Sequence, residues 1–337
     1  MNFHLGCGFE RDEHGVLCMN PIKFIEKMEA SYEQMFGCKP TTRFHSPLAE
    51  NDHPELDSSS FLGDTDIQKY QSMVGSLQWV IAIGRFDVQT AVMTLSSFRV
   101  QPREGHLNRA KRIYGYISKF RHFKIRFRVG IPDFVLTEGN STDWSNTVYG
   151  EHSEDLPSDA PKPLGKVVVL SHFYDANLMH DILSGKAVTG ILHFANKTPI
   201  MWFSKKQATS ETATFGAEFV SARTCIEQIV DIRQSFRYLG TRVHDTSYTW
   251  GDNEKMIQTS TFPYARLHKR HHILSYHYVR SMIARGFILM QHLAGKDNCA
   301  DILTKHWGHS VVYPLLKPIF YYCGNTGDLL QDDCTRY

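Results

Sequence analysis

A chain of 337 residues has room for two domains of ordinary size, each with its own core. With 42% hydrophobic and 21% charged residues it reads as a soluble globular protein rather than a disordered or fibrous one. A formal net charge of +2 excludes any argument for nucleic acid from overall charge, yet ten Lys or Arg against one acid between Arg99 and Arg128 mark a local phosphate-facing surface.

The first residues lack the basic and long apolar regions of a secretory leader, and no run approaches the ~18 apolar residues of a membrane span. Seven cysteines, an odd number with no C-x-x-C pair, suit reduced thiols in the cytoplasm or nucleus, with no membrane partner.

In chain order, Phe3 to Glu10 and Val16 to Met19 read as a hairpin around a turn ending at Gly15. Pro21 opens a helix that reaches Phe36, with Gly37 just past its end. Pro40 to Thr65, rich in Pro, Ser and Asp, reads as a linker or long loop. A helical pair follows: Tyr70 to Phe98 is mostly apolar, and Leu107 to Phe120 is amphipathic with Arg109, Lys111, Arg112 and Lys119 on its wet side. Gly150 to Gly165 is a surface excursion.

From Lys166 the pattern becomes α/β. Val167 to Phe173 is a near-continuous apolar run, as in a central strand covered on both faces. Ala187 to Phe194 and Pro199 to Phe203 continue it as a meander. A long helix from about Thr212 to Leu239 places Phe215, Phe219, Ala222, Ile226, Ile229 and Phe236 at helical spacing. Ser247 to Trp250 is a strand, Arg270 to Ala284 a helix, Phe287 to His292 a strand, and Asn298 starts a last helix. That order is compatible with one mixed sheet flanked by helices.

Four acids stand out. Asp175 follows the first apolar strand and Asp252 ends the fourth, and strand ends are where α/β sheets hold ligands. Glu218 lies on the apolar stripe of the long helix, where a lone carboxylate is expensive. Asp301 falls in the first turn of the last helix, where the dipole favours an acid by about 0.3–1 kcal/mol. Singly, each aspartate has a plainer reading as a turn former or helix-start acid, and Glu211 maps near the same helix face as Glu218. Carboxylates converging without cysteine or histidine partners favour a hard ion such as Mg²⁺ or Mn²⁺ over zinc.

The strings around these acids carry a resemblance. Tyr-Gln-Ser-Met-Val-Gly-Ser-Leu (70–77), Trp-Phe-Ser-Lys-Lys-Gln-Ala-Thr (202–209), Ala-Glu-Phe (217–219), Gly-Asp-Asn (251–253) and Ala-Asp-Ile-Leu-Thr-Lys (300–305), in this order, resemble the C-terminal part of a copia-type retrotransposon polyprotein. The resemblance implies a reverse transcriptase remnant (palm end and thumb, mainly helical) over 1–130, a connection over 131–165, a ribonuclease H domain over 166–312 and a tail over 313–337. The implied fold is α/β: a ribonuclease-H-like mixed five-stranded sheet flanked by helices.

The resemblance further implies an endonuclease that cuts the RNA strand of RNA–DNA hybrids, with Asp175, Glu218, Asp252 and Asp301 holding two Mg²⁺ ions, Mn²⁺ being the alternative. Glu211 is the lesser candidate for the helix acid. After Asp175 the family usually shows an acid and a tryptophan, where this chain has Asn177 and Leu178. No Tyr-x-Asp-Asp turn is present, and Asp332 and Asp333 sit in a polar stretch, so DNA synthesis is not expected. Arg109, Lys111, Arg112, Lys269 and Arg270 are the candidate nucleic-acid contacts, a solvated face packed through its aromatics being the alternative for the first three. The expected partners are an RNA–DNA hybrid and other polyprotein segments. The string His268 to His272 also admits a zinc reading, and His292 a proton-handling or product-release role. Two rival functions stay open: a non-catalytic nucleic-acid-binding retroelement remnant, and a ribonuclease-H-like nuclease acting on DNA.

Overall fold

The computed structural model describes residues 2–12, 14–132, 142–150, 158–267 and 272–321. They divide into two compact units. One takes the described residues of Met1–Arg128, Asp181–Ser184 and Lys305–Arg336, the other those of Val129–His180 and Gly185–Thr304.

The first unit opens with β1 (Phe3–His4), β2 (Cys7–Arg11) and β3 (Leu17–Asn20), an antiparallel set as the hairpin pattern predicts. Helix α1 (Ile22–Phe36) starts after Pro21 and stops at Gly37, whose φ of 69° lets its amide turn back onto the Glu33 carbonyl. The expected apolar run from Tyr70 is two helices, α2 (Asp64–Ala82) and α3 (Gln89–Ser96). Gly84 breaks them: it holds φ 112°, and a Cβ there would stand 3.1 Å from Ile125 Cδ1. Helix α4 (Glu104–Lys119) buries Leu107, Ala110, Ile113 and Ile117, the i, i+3 pattern of a core-facing stripe. The short β4 (Lys124–Arg126) pairs with β3. Beneath α4, Arg85 is fully buried and makes two bonds of 2.9 and 2.7 Å to Asp87, so the charge is paired as burial demands.

The stretch 40–65 is a loop pinned to α4 rather than a loose linker. Arg112 donates to the Ser46 hydroxyl and the Leu48 carbonyl (both 3.0 Å), and His106 Nε2 meets the Pro54 carbonyl at 2.9 Å.

The second unit is α/β. Strand β5 (Leu164–Val168) pairs in parallel with the short β9 (Thr241–Val243). The main sheet is built from β6 (Leu170–Asp181), β7 (Lys186–Ala195), β8 (Thr198–Lys206), β10 (Ser247–Gly251) and β11 (Ile288–His292), in the order β11-β10-β6-β7-β8. β7 and β8 are antiparallel, whereas β10 runs parallel to both β6 and β11. This is the mixed five-stranded sheet flanked by helices that the sequence leads one to expect. Helices α5 (Thr214–Tyr238), α6 (Glu254–Thr261) and α7 (Ile273–Ala284) cover it, joining Tyr174, Ile191, Phe219, Ile226, Met256, Val279 and Met290 in one core. Helix α6 was not read from the sequence: eight residues carrying three buried positions are too short for the period to show.

The chain then returns to the first unit. Helix α8 (His309–Leu316) leads to β12 (Phe320–Tyr321), which pairs with β4 and stacks Phe320 on Phe86 and Phe123 at 4.7 and 5.4 Å. No described helix is long and apolar enough to cross a membrane.

Candidate active site

Parallel pairing brings two of the acids together. In the register of β6 with β10, Phe173 lies opposite Trp250, and their rings stack at 5.0 Å. Asp175 and Asp252 each stand two residues beyond this pair, on the same side of their chains as Phe173 and Trp250 by the strand period. Asp175 is thus inside a twelve-residue strand, not just beyond a shorter one as the apolar run suggested.

Asp301 arrives from a separate segment. It lies within a five-residue 3₁₀ turn, Cys299–Leu303, not in the first turn of a long helix, so the helix dipole contributes little there. Asn298 anchors this turn at both ends of its amide. Its Oδ1 accepts from Ala300 N at 3.1 Å, and its Nδ2 donates to the Tyr174 carbonyl at 2.9 Å, next to Asp175. Thr304 closes the turn by donating from Oγ1 to Asp175 Oδ2. Gly190 of β7 lets the turn lie against the sheet, since a Cβ there would fall 2.5 Å from Thr304 Cγ2 and 2.9 Å from the Ala300 oxygen. Sequence reasoning gave Asn298 and Thr304 no part in the site, although Thr304 lies within the quoted Ala-Asp-Ile-Leu-Thr-Lys string and Asn298 two residues before it.

Asp175, Asp252 and Asp301 each offer an oxygen, and these oxygens all lie within 4.8 Å of one another. Asp175 and Asp301 are buried, and Asp252 is half-buried. Glu218 is outside this trio but beside it. It is 1% exposed, and its Oε1 accepts from Ala176 N at 3.3 Å, one residue past Asp175. The apolar stripe of α5 therefore does bury this carboxylate against β6. Glu211 is engaged elsewhere, 3.3 Å from His272 Nε2. Burial first, then the charges of Glu218, Cys225 and Asp252, hold the Tyr174 phenol well above its usual pKa, so it stays protonated beneath Gly251.

His292, at the end of β11, is exposed and places Nε2 3.2 Å from the Asp252 carbonyl. Of the histidine string, 268–271 lie outside the described residues, as do Lys269, Arg270, Asp332 and Asp333. His272 is buried on Glu211, and His277 meets the Tyr149 hydroxyl at 2.7 Å. Among the described residues, the three aspartates form the one group of metal-ligand type.

The basic run of the first unit is largely answered from within. Arg109 is bound by Asp52 at 2.8 Å and by Asp57 at 2.5 Å, Arg121 by Glu29, and Arg126 by Asp12. Arg112 braces the 46–48 backbone, and Lys111 stands over the Phe36 ring at 4.1 Å. For Arg109 this geometry supports the packing alternative.

No family model matches the chain. Among curated proteins it is similar to the "Retrovirus-related Pol polyprotein from transposon RE1" of Arabidopsis thaliana, 27% identical over 80% of this chain and 16% of the relative. It is likewise similar to the Pol polyprotein from transposon TNT 1-94 of Nicotiana tabacum, 24% identical over 86% of this chain and 19% of that protein. The chain is thus similar to retrovirus-related Pol polyproteins of plant transposons. It spans less than a fifth of the length of these Pol relatives. Similar solved structures include RNase H1 from Halobacterium salinarum NRC-1, with TM-score 0.32 and 12% identity over 41% of this chain and 95% of that one. Others are LC11-RNase H1 in complex with an RNA/DNA hybrid (0.31, 15%, 40% and 93%) and the foamy viral protease-reverse transcriptase with an RNA/DNA hybrid (0.30, 13%, 48% and 23%).

Proposed function

We propose that the second unit is a ribonuclease H of a copia-type retroelement, hydrolysing the RNA strand of an RNA–DNA hybrid. The observation that carries this reading is the trio Asp175, Asp252 and Asp301, with oxygens within 4.8 Å of one another beside buried Glu218. Three carboxylates this close repel one another unless a cation sits among them. Their donors are all hard oxygens, which fits Mg²⁺ or Mn²⁺ and not zinc. Asp175, Asp252 and Asp301 would hold the metal, with Glu218 supplying a further carboxylate. When bound, a metal pair supplies an activated water and neutralises the charge of the departing 3′-oxygen.

The chain's own residues do the positioning. Thr304 and Asn298 set the orientation of Asp175 and Asp301, so the carboxylates are aligned before substrate arrives. Half-buried Asp252 is the member of the trio open to a strand lying across the sheet edge. Of the hybrid's two strands, RNA is singled out by its 2′-hydroxyl. Residues 1–130 are read as the palm end and thumb of a reverse transcriptase without its polymerase site, with Lys269 and Arg270 as further candidate contacts to the hybrid.

The test is Asp252→Asn with a hybrid labelled on its RNA strand. Asparagine keeps size and turn preference and removes one anionic ligand. The variant should fold, and its Mg²⁺-dependent cleavage should drop by more than the ~100-fold that outer partners of a metal site cost. Its metal-free melting temperature should equal or exceed that of the parent, because repulsion is relieved. Parent-like cleavage by the folded variant would refute the assignment.

A further inference from the structure

The residues just before Asp175 and Asp252 make an unusual pair. One step past Phe173 and Trp250, the register of β6 with β10 brings Tyr174 beside Gly251. Tyr174 is fully buried, and a Cβ on Gly251 would stand 2.5 Å from its Oη and 2.7 Å from its Cε2. The phenol ring therefore lies across the bare α-carbon of Gly251. Space and not backbone angle requires glycine there, since Gly251 is not among the glycines with positive φ.

Both members are poor choices for stability alone. Glycine in a strand packs nothing and marks the close approach of another group. The buried hydroxyl meets two thioether sulfurs, Met256 Sδ at 3.8 Å and Met290 Sδ at 3.7 Å, which are weak acceptors. Those contacts reach α6 and β11, so the ring cannot swing off Gly251 without leaving them. What the arrangement secures is spacing. Phe173 on Trp250 fixes β6 against β10 on one face of the sheet, and Tyr174 on Gly251 fixes them on the other, directly before the two aspartates. The Tyr174 carbonyl meanwhile accepts from Asn298 Nδ2 at 2.9 Å, and Asn298 caps the turn that carries Asp301. One residue thus touches the chain adjoining each of the three aspartates.

We infer that Tyr174 is a positioning residue of the metal site, its ring acting as a gauge that sets Asp252 against Asp175. The inference rests on the metal-site reading above. Mg²⁺ demands near-ideal octahedral geometry at about 2.0–2.1 Å from its oxygens, so a small change in the spacing of two carboxylates weakens its hold. The ring acts through the strands and touches neither metal nor substrate.

The experiment measures the Mn²⁺ affinity of the full chain from the electron paramagnetic resonance of the free ion, beside a metal-free melt. Gly251→Ala sets a methyl into the ring, and Tyr174→Leu removes the ring. Each should weaken Mn²⁺ binding about 10–100-fold, the range of groups that orient metal ligands. The two together should bind more tightly than Gly251→Ala alone, because leucine clears the space that the methyl needs and groups in contact are non-additive. Tyr174→Phe keeps the ring and should hold Mn²⁺ nearly as the parent does. Val279→Ala opens a cavity on α7 in the same core and should lower the melting temperature with Mn²⁺ affinity unchanged, which separates positioning from packing. If Gly251→Ala does not fold, Tyr174→Leu against Tyr174→Phe decides. Parent-like affinity in Tyr174→Leu, a double variant no better than Gly251→Ala, or an equal loss in Val279→Ala would each overturn the inference. Asp252→Asn tells the two readings apart. Weakened Mn²⁺ binding there with parent-like Tyr174→Leu sinks the gauge alone, whereas a parent that binds no Mn²⁺ sinks the metal site and the gauge with it.

Discussion

His172 of β6 and His193 of β7 are both fully buried, and their Nδ1 atoms are 2.7 Å apart. His193 Nε2 lies 2.8 Å from Gln228 Oε1 on α5, so it carries the proton and donates. Its Nδ1 must then accept, which makes His172 the Nδ1–H tautomer and leaves His172 Nε2 a buried acceptor without a partner. A second proton on His193 Nδ1 would break this bond, and one on His172 Nε2 would leave a charge buried beside His193. Burial, with Gln228 opposing, pulls His193 down to about 4; burial, then His193 and then Arg233, pulls His172 well below its usual value. Because the folded pKa values are depressed, the unfolded chain binds more protons below about pH 6.5, so this contribution is intact above that pH and is lost as pH falls toward 4. For His193 the loss by pH 5 is about 2 kcal/mol, from ~1.5 pH units at 1.36 kcal/mol each, or roughly 4–8 °C in the melting temperature of a domain this size, and His172 acts in the same direction. The assay is a melt of the parent and of His172→Phe/His193→Leu between pH 5 and 7.5. Carboxylate titration is common to both, so the difference of slopes isolates the pair. Parallel curves would refute the reasoning.

Gly190→Ala would force a methyl against Thr304 Cγ2, the Ala300 oxygen and Leu303 Cβ, so the Asp301 turn must shift. A loss of about 1–3 kcal/mol in chemical denaturation, with weaker Mg²⁺ stabilisation, is expected; unchanged values in both would show that the turn is not set by this contact. Asp87→Ala strands the fully buried Arg85 and should destabilise the first unit by about 3–5 kcal/mol, read by urea unfolding. Asp87→Asn, which keeps one acceptor, should lose less.

Much of the second unit was legible because its strands and its long helix carry strong periods. The apolar stripe of α5 pointed to the buried carboxylate Glu218, and the apolar strand ends pointed to Asp175 and Asp252. What stayed hidden depends on long-range geometry. The register that sets Asp175 beside Asp252 needs the pairing of β6 with β10. The 3₁₀ turn around Asp301 has too few residues to show a period, and its anchors Asn298 and Thr304 act through a backbone carbonyl and a carboxylate more than 120 residues away. The pairing within the basic run is hidden for a related reason. The charge of the run is visible locally, but Asp52 and Asp57, which neutralise Arg109, are more than 50 residues off.

The first unit is interrupted: its chain departs at Arg128, re-enters only for Asp181–Ser184 and comes back at Lys305. Its sheet is not closed until Phe320 pairs with Ile125 and wedges between Phe86 and Phe123. On a ribosome this imposes an order of events. Some 190 residues must be made between the two halves of that aromatic wedge, about 10–40 s at ordinary elongation rates. Meanwhile the second unit, complete by Thr304, can collapse on its own. The emergent first unit waits with an unpaired strand edge at β4, a template for wrong partners until the last segment arrives. Newly made chains that stall before residue 320 should therefore aggregate through the open edge of β4.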